Sequence, residues 1–314
     1  MTAGSPRPIA VLTGPTGTGK SDIALRLARE FPIEIVSVDS AQVYRGLDIG
    51  SAKPDAATRA AVPHHLLDLV DATSFYSAGQ FVRDATVAIA DIESRGRIPL
   101  LVGGTMLYLR ALISGLATLP QGSEQIRADI DTDAARIGWH AMHARLAQVD
   151  AAAAARIHPN DAQRIQRALE VHTATGEPIS ALQAATRSPL AREFLVTALV
   201  PADRARLHAG LAQRFENMMA SGLLAEVRSL HARGDLGPEN PSVRAVGYRQ
   251  LWSYVAGACT LETAVESAVA ATRQLAKRQM TWLRSMPNIR IVDPYDAQGF
   301  VGVRESLIAA FCLL

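Results

Sequence analysis

The sequence predicts an α/β fold: a parallel sheet flanked by helices, with an all-helical insertion in mid-chain. Three observations point there. Short β-rich runs stopped by glycine alternate with helix-spaced segments, the pattern of a parallel sheet covered on both faces. A glycine-rich turn joins the first such run to the first helix. A long alanine-, arginine- and glutamine-rich stretch then shows helical period and no convincing strand.

The elements follow in order. "IAVLTG" is a β-run ending in glycine, "KSDIALRLAREF" has helical spacing, and "IEIVSVDS" is a second β-branched run. "RIPLLVGGT" is another strand and "MLYLRALISG" a helix, after which the character changes. The reading is therefore residues 1–120 as the first part of the core, 121–190 as the helical insertion and 191–314 as the second part of the core with C-terminal helices. In that last part "EFLVTALV" returns as a strand, helices run through "RARLHAGLAQRFENMMASG", "LLAEVRSLHARG" and a long segment ending near Trp282, and "NIRIVDP" closes the sheet.

With 314 residues, 48% hydrophobic and 20% charged, the chain has enough apolar content for a large core. It has no apolar run near the ~20 residues of a membrane helix. No targeting leader is visible before the first strand, so a cytoplasmic protein without membrane attachment is expected. Cys259 and Cys312 form no disulfide framework and read as buried thiols. The histidine pairs His64/His65 and His140/His143 lack the partners of a metal site and read as structural. Net charge is only +2, but from Ser267 to Val292 no acid occurs while Arg273, Lys277, Arg278, Arg284 and Arg290 do. By itself that stripe reads as a solvated helix face.

"GPTGTGKS", Gly14 to Ser21, matches G-x-x-x-x-G-K-[ST] in full, after a strand and before a helix. This makes the fold P-loop NTPase-like. In such a loop Gly14, Pro15, Thr16, Gly17, Thr18 and Gly19 turn backbone N–H groups around an anion. Lys20 is the point charge on the outer phosphate and Ser21 can hold Mg²⁺. Gly17 and Thr18 act mainly through the backbone.

An NTPase that hydrolyses its nucleotide also needs an acid at the end of another buried strand, yet "IPLLVGGT" ends in Gly-Gly-Thr. The acid instead ends the second run, as Asp39 in "SVDSAQVY". Ligands of open parallel sheets lie beyond the carboxyl ends of the strands, so Asp39 is expected in the same crevice as the cradle. There a carboxylate can take a proton from an incoming nucleophile, or can simply cap the next helix. Thr105 can donate into the crevice or start its helix; spacing leaves both open.

With these residues in view, the sequence resembles the tRNA dimethylallyltransferases. The resemblance is carried by "GPTGTGKS", "SVDSAQVYRGLDIGSAKP", "HHLLDLVD", "LLVGGTMLYLRAL", "RIHPNDAQRIQRALEVHTATG", "AQRF", "RAVGYRQLW" and "TRQLAKRQMTWLR". It implies that the cradle holds the diphosphate of dimethylallyl diphosphate, with Mg²⁺. The prenyl group then moves to N6 of adenosine 37 in tRNAs reading codons beginning with U. Asp39 takes the role of base, and Thr105 contacts the target nucleotide or the diphosphate. Arg214 of "AQRF", a surface-helix residue by spacing alone, clamps the diphosphate, for which a guanidinium is suited.

The resemblance also implies an RNA partner, the anticodon stem-loop. Its contacts would be Asp39, Ser40, Ala41, Gln42 and Thr105 beside the pocket, Arg127, and the run Gln163, Arg164, Ile165, Gln166 and Arg167. On a helix Ile165 faces inward while Gln163, Arg164 and Arg167 project together; spacing alone makes that face merely solvated. Two further elements are Arg244, Ala245, Val246, Gly247, Tyr248 and Arg249, and Lys277, Arg278, Gln279, Met280, Thr281, Trp282, Leu283 and Arg284. This reassigns the acid-free stripe to RNA, with Tyr248 and Trp282 expected in the core.

The chain lacks the cysteine and histidine set of the C-terminal zinc finger found in some larger relatives, which implies the bacterial-type form. A monomer without an obligate protein partner is expected. A nucleoside or nucleotide kinase is the competing expectation and predicts ATP consumption. An adenylate isopentenyltransferase would need neither the insertion nor its arginine face.

Overall fold

The computed structural model describes residues 7–117, 119–120, 123–185, 188–296 and 298–311; of Ala309 it describes the backbone alone. The expectation of a buried thiol at Cys312 lies outside the described residues. Two compact units divide the chain, one made of residues 1–110 and 190–314 and the other of Ala111–Pro189.

In the first unit β1 (Ile9–Thr13) leads through the glycine-rich turn to α1 (Lys20–Ala28), then β2 (Ile33–Val38), α2 (Ala56–Ala61) and β3 (His64–His65). It continues with α3 (Ala78–Ser94), β4 (Ile98–Gly103) and α4 (Met106–Ser114), the last running past the unit boundary. The two-residue strand β3 is too short to show a period, which is why the sequence did not reveal it.

The second unit holds α5 (Glu124–Ile137), α6 (Trp139–Val149), α7 (Ala151–Ala154), α8 (Ala162–Thr175) and α9 (Ile179–Ala184). Its core joins Ile130, Met142, Leu146, Ile165, Leu169 and Val171. Acidic side chains cap its helices: Asp150 Oδ1 accepts from Ala153 N at 2.8 Å and Asp161 Oδ1 from Arg164 N at 3.2 Å. The unit begins at Ala111, ten residues before the expected 121, because α4 crosses the boundary without a change in composition.

The first unit resumes with β5 (Phe194–Leu199), α10 (Arg204–Ala220), α11 (Leu223–Ala232), α12 (Tyr248–Val255) and the 25-residue α13 (Leu261–Ser285). β6 (Ile289–Val292) and α14 (Gly299–Phe311) complete it. The six strands of the described residues all pair in parallel in the order β3-β2-β4-β1-β5-β6. Helices α1 and α14 cover one face, packing Leu27, Val303, Leu307 and Phe311 onto Leu12, Leu100 and Leu199. Cys259 lies in the turn after α12 and is half-exposed, not buried as expected, its chain neighbours Ala256, Gly257, Ala258 and Thr260 being exposed too.

Register fixes what the sheet presents at its carboxyl edge. Thr13 pairs with Gly103 and Gly103 with Val38, so Gly14, Gly104 and Asp39 leave the sheet side by side.

Candidate active site

The cradle is built from close approaches that only glycine allows. Gly14 has φ +150°, and a Cβ there would lie 2.6 Å from the Leu199 carbonyl oxygen. At the tip of β4 the same holds twice: a Cβ on Gly103 would meet Val38 O at 2.2 Å, and one on Gly104 would meet Gln279 Nε2 at 2.5 Å. The loop is held by Thr18 Oγ1, which donates to Pro15 O at 2.9 Å. Lys20 Nζ donates to Gly14 O at 2.9 Å and to Pro15 O at 2.7 Å. Burial and then the positive charge of Arg214 pull the Lys20 ammonium down to about 7, with Asp39 opposing. Burial likewise lowers Arg214, while Asp39 and Asp22 act to raise it. These mutual effects place Asp39, Lys20 and Arg214 of "AQRF" within one electrostatic neighbourhood.

Asp39 directly follows β2. Its Oδ1 accepts the N–H of Ala41 and of Gln42, so it shapes a turn rather than capping a helix, as none begins there. Thr105 does both things the sequence left open. Its carbonyl accepts from Tyr108 N and Leu109 N at the start of α4, while its Oγ1 accepts Ser40 N at 3.0 Å and donates to Ser40 Oγ at 3.3 Å.

A cavity of about 570 Å³ opens between these groups. Of the expected residues it is lined by Thr16, Asp39, Ser40, Ala41, Thr105, Arg214, Arg244, Ala245, Val246, Gly247, Tyr248, Arg278, Gln279 and Trp282. Six separate motifs thus meet in one cleft. Sequence reasoning missed its apolar wall, formed by Tyr44, Met106, Tyr108, Leu211, Phe215, Met218 and Leu223. The helical spacing of Leu211, Phe215 and Met218 on α10 was visible, but nothing distinguished a cavity wall from ordinary core. Tyr108 stacks on Phe81 with centroids 4.6 Å apart, and burial pushes its phenol up, helped by Tyr44 and Asp39.

The cavity wall after Asp39 is fixed from behind. Gln42 accepts from Ser37 Oγ at 2.8 Å and donates to Ser51 O and Ala52 O. Glu226 accepts the N–H groups of Asp48, Ile49 and Gly50 at 3.1, 2.8 and 3.2 Å and the hydroxyl of Tyr248 at 2.5 Å. Desolvation and the Glu226 carboxylate hold the Tyr248 phenol well above its ordinary range. Lys53, almost fully buried, binds Asp48, Asp68 and the Tyr44 carbonyl.

Several expected RNA contacts are corrected by these positions. Ile165, Met280 and Leu283 are buried in apolar cores, so their side chains are closed to RNA. Both ends of the Gln42 carboxamide are occupied within the fold, and so are those of Gln279, which bridges Thr16 N and Gly104 O. Tyr248 is buried as expected, whereas Trp282 is half-buried and forms cavity wall, with Arg110 over its ring at 5.7 Å. The exposed side chains of α13 include Arg273, Lys277, Arg278, Thr281 and Arg284; Arg249 is exposed on α12 outside the cavity lining.

In the second unit the expected common face splits. Gln163 and Arg164 are exposed, but Arg167 donates to Glu170 Oε2 at 2.7 Å and to Pro120 O at 2.9 Å. Arg127 holds the other Glu170 oxygen at 2.9 Å, and Gln166 donates to Asp131 at 2.6 Å. Glu170, to which the sequence reading assigned no role, is a buried acid on α8 that binds both arginines.

The family model described as IPP transferase matches residues 42–286, and one described as isopentenyl transferase matches residues 8–65. The chain is 56% identical to the tRNA dimethylallyltransferase of Bordetella pertussis over 92% of this chain and 93% of that protein. It is 55% identical to that of Ralstonia nicotianae over 92% and 91%. Among solved structures, the full-length tRNA isopentenylpyrophosphate transferase of Bacillus halodurans is similar with TM-score 0.72 and 34% identity, covering 98% of this chain and 97% of that one. A eukaryotic dimethylallyltransferase acting on tRNA is similar with TM-score 0.80 and 28% identity, covering 96% and 78%. By its motifs, its cleft and these likenesses, the chain belongs to the tRNA dimethylallyltransferase family.

Proposed function

We propose that the chain transfers the dimethylallyl group of dimethylallyl diphosphate to N6 of adenosine 37 in tRNAs reading codons beginning with U. The observation that carries this reading is the parallel register of β1, β4 and β2, which sets Gly14, Gly104 and Asp39 in a row beside an apolar-walled cavity. The new bond joins N6 to C1 of the prenyl group. The C1–O bond breaks with its electron pair leaving on the diphosphate, and the N6 proton passes to Asp39. An exocyclic adenine amine is a poor nucleophile, so a base hydrogen-bonded to it lowers the barrier. Backbone N–H groups, Lys20 and Arg214 stabilise the departing charge.

Mg²⁺ supplies further charge neutralisation on the diphosphate when bound. The exposed Ser21 hydroxyl, without a hydrogen bond among the described residues, suits it. Ser21 would then be its one protein ligand, the substrate phosphates and water completing the shell.

The base has to leave the anticodon loop to reach Asp39, at about a few kcal/mol or less outside a duplex. Exposed Arg244, Arg249, Lys277, Arg278 and Arg284 supply phosphate contacts that offset this, as do Gln163 and Arg164 on the helical unit. No helix among the described residues is long and apolar enough to cross a membrane; a tRNA substrate supports a cytoplasmic activity.

Incubation with radiolabelled dimethylallyl diphosphate and either bulk unmodified tRNA or AMP tests the reading. Label enters tRNA, requires Mg²⁺ and is not stimulated by ATP. Label in AMP alone, or ATP consumption, overturns it.

A further inference from the structure

Gln279 sits on α13, 8% exposed, with both ends of its carboxamide engaged in the site. Its Oε1 accepts the N–H of Thr16 at 3.0 Å, and its Nε2 donates to Gly104 O at 2.8 Å. Gly104 is side-chain-free at this point because a Cβ would fall 2.5 Å from Nε2. The amide therefore spans from the phosphate loop to the tip of β4, an exact fit that a merely space-filling residue does not need.

The consequence lies in which donors remain. Pro15 has no N–H, and the N–H of Thr16 is taken. From Gly17 through Ser21 the backbone N–H groups make no hydrogen bond to another described residue. The cavity touches the loop at Thr16, so an anion longer than the cradle leaves it there. At that end it meets a carboxamide oxygen, whose lone pairs repel phosphate, in place of an N–H donor. A carbon substituent meets no such penalty.

We propose that Gln279 sets the length of the cradle, making it a two-phosphate site that admits a diphosphate ester and rejects a triphosphate. The inference rests on the function proposed above and deepens it, since it assigns selection against nucleoside triphosphates to one residue. Discrimination here comes from a repulsive element built against the competitor.

The test is equilibrium binding of inorganic diphosphate and of inorganic tripolyphosphate to the full chain in Mg²⁺, by titration calorimetry. The wild type prefers diphosphate by at least about tenfold. Gln279→Met keeps the volume but frees the Thr16 N–H, and lowers that preference on the order of tenfold, the effect of regaining one donor to a charged oxygen. Gln279→Ala does the same, with melting curves reporting that both variants are folded. An unchanged preference in folded variants overturns the proposal. So does equal binding of the two anions by the wild type, whatever the variants do. Wild-type protein that binds diphosphate and labels tRNA while the ratio stays fixed removes the role of Gln279 alone. Wild-type protein that binds neither anion and labels no tRNA removes the prenyl-transfer reading as well.

Discussion

Asp39 Oδ1 accepts the backbone N–H of Ala41 at 2.8 Å, while Oδ2 makes no hydrogen bond among the described residues. One oxygen builds the turn, and the other is the one to which the proposed function gives the proton. The two roles separate by substitution. Asp39→Asn keeps an acceptor for Ala41 and leaves the melting temperature nearly unchanged, yet lowers single-turnover prenyl transfer by about 10²- to 10⁴-fold. Asp39→Ala loses both roles and destabilises the fold by a further ~1 kcal/mol. A loss of less than about tenfold in Asp39→Asn ends the assignment of Asp39 as base.

Lys20 gives the cradle a pH dependence. Its folded value, about 7, lies below the ordinary 10.5, so between those values the folded protein binds fewer protons than the unfolded chain. Its contribution to stability therefore rises with pH across that window. A bound diphosphate restores the charge. Above about pH 7 binding takes up a proton, and affinity falls as pH rises; Lys20→Met removes this part of the dependence. Calorimetry in buffers of different ionisation heat measures the uptake, and equal uptake by both proteins would exclude Lys20 as its source.

Arg164 and Arg167, three residues apart, are expected to behave differently. Arg164→Ala weakens tRNA binding and reduces the slope of log K against log salt by about 1, with no change in melting temperature. Arg167→Ala leaves the Glu170 carboxylate short of a partner and destabilises the helical unit by about 1–3 kcal/mol, less than for a fully buried pair because Arg127 remains and both arginines are partly exposed. Salt-dependent binding and thermal melts on both variants check the pair, and unchanged affinity for Arg164→Ala at low and high salt rejects this face as an RNA surface.

Gly50 tests the wall behind the base. A Cβ there would lie 2.6 Å from the Tyr248 ring and 2.8 Å from Leu223, against a loop held by three N–H bonds to Glu226. Gly50→Ala is expected to cost ~1–3 kcal/mol of stability through overpacking. It is also expected to raise the KM for tRNA more than that for dimethylallyl diphosphate, as the displaced wall borders the cavity and not the cradle. Steady-state kinetics with each substrate varied in turn gives the comparison.

The sheet and the cradle were legible because their signals are local: a glycine pattern between a strand and a helix, and β-branched runs of five or six residues. Asp39 was legible because a parallel sheet exposes the residue after each strand at one edge. The rest required tertiary information. Glu170 and Gln279 lie inside quoted motifs, but their partners Arg127 and Thr16 are 43 and 263 residues away, so the sequence does not show what either side chain binds. The apolar wall escaped notice for the opposite reason: Leu211, Phe215 and Met218 look like any core-facing helix stripe until the space beside them is seen to be empty.

Because β4 lies between β1 and β2, the groups to which the proposed function gives the leaving anion and the proton are separated by two interstrand steps, roughly 10 Å of hydrogen-bonded backbone. That span is a ruler made of main chain. Flanking loops can fluctuate as RNA arrives and departs without altering it, so mutations that slacken the periphery should affect capture of the macromolecule before they affect the distance over which carbon is handed across.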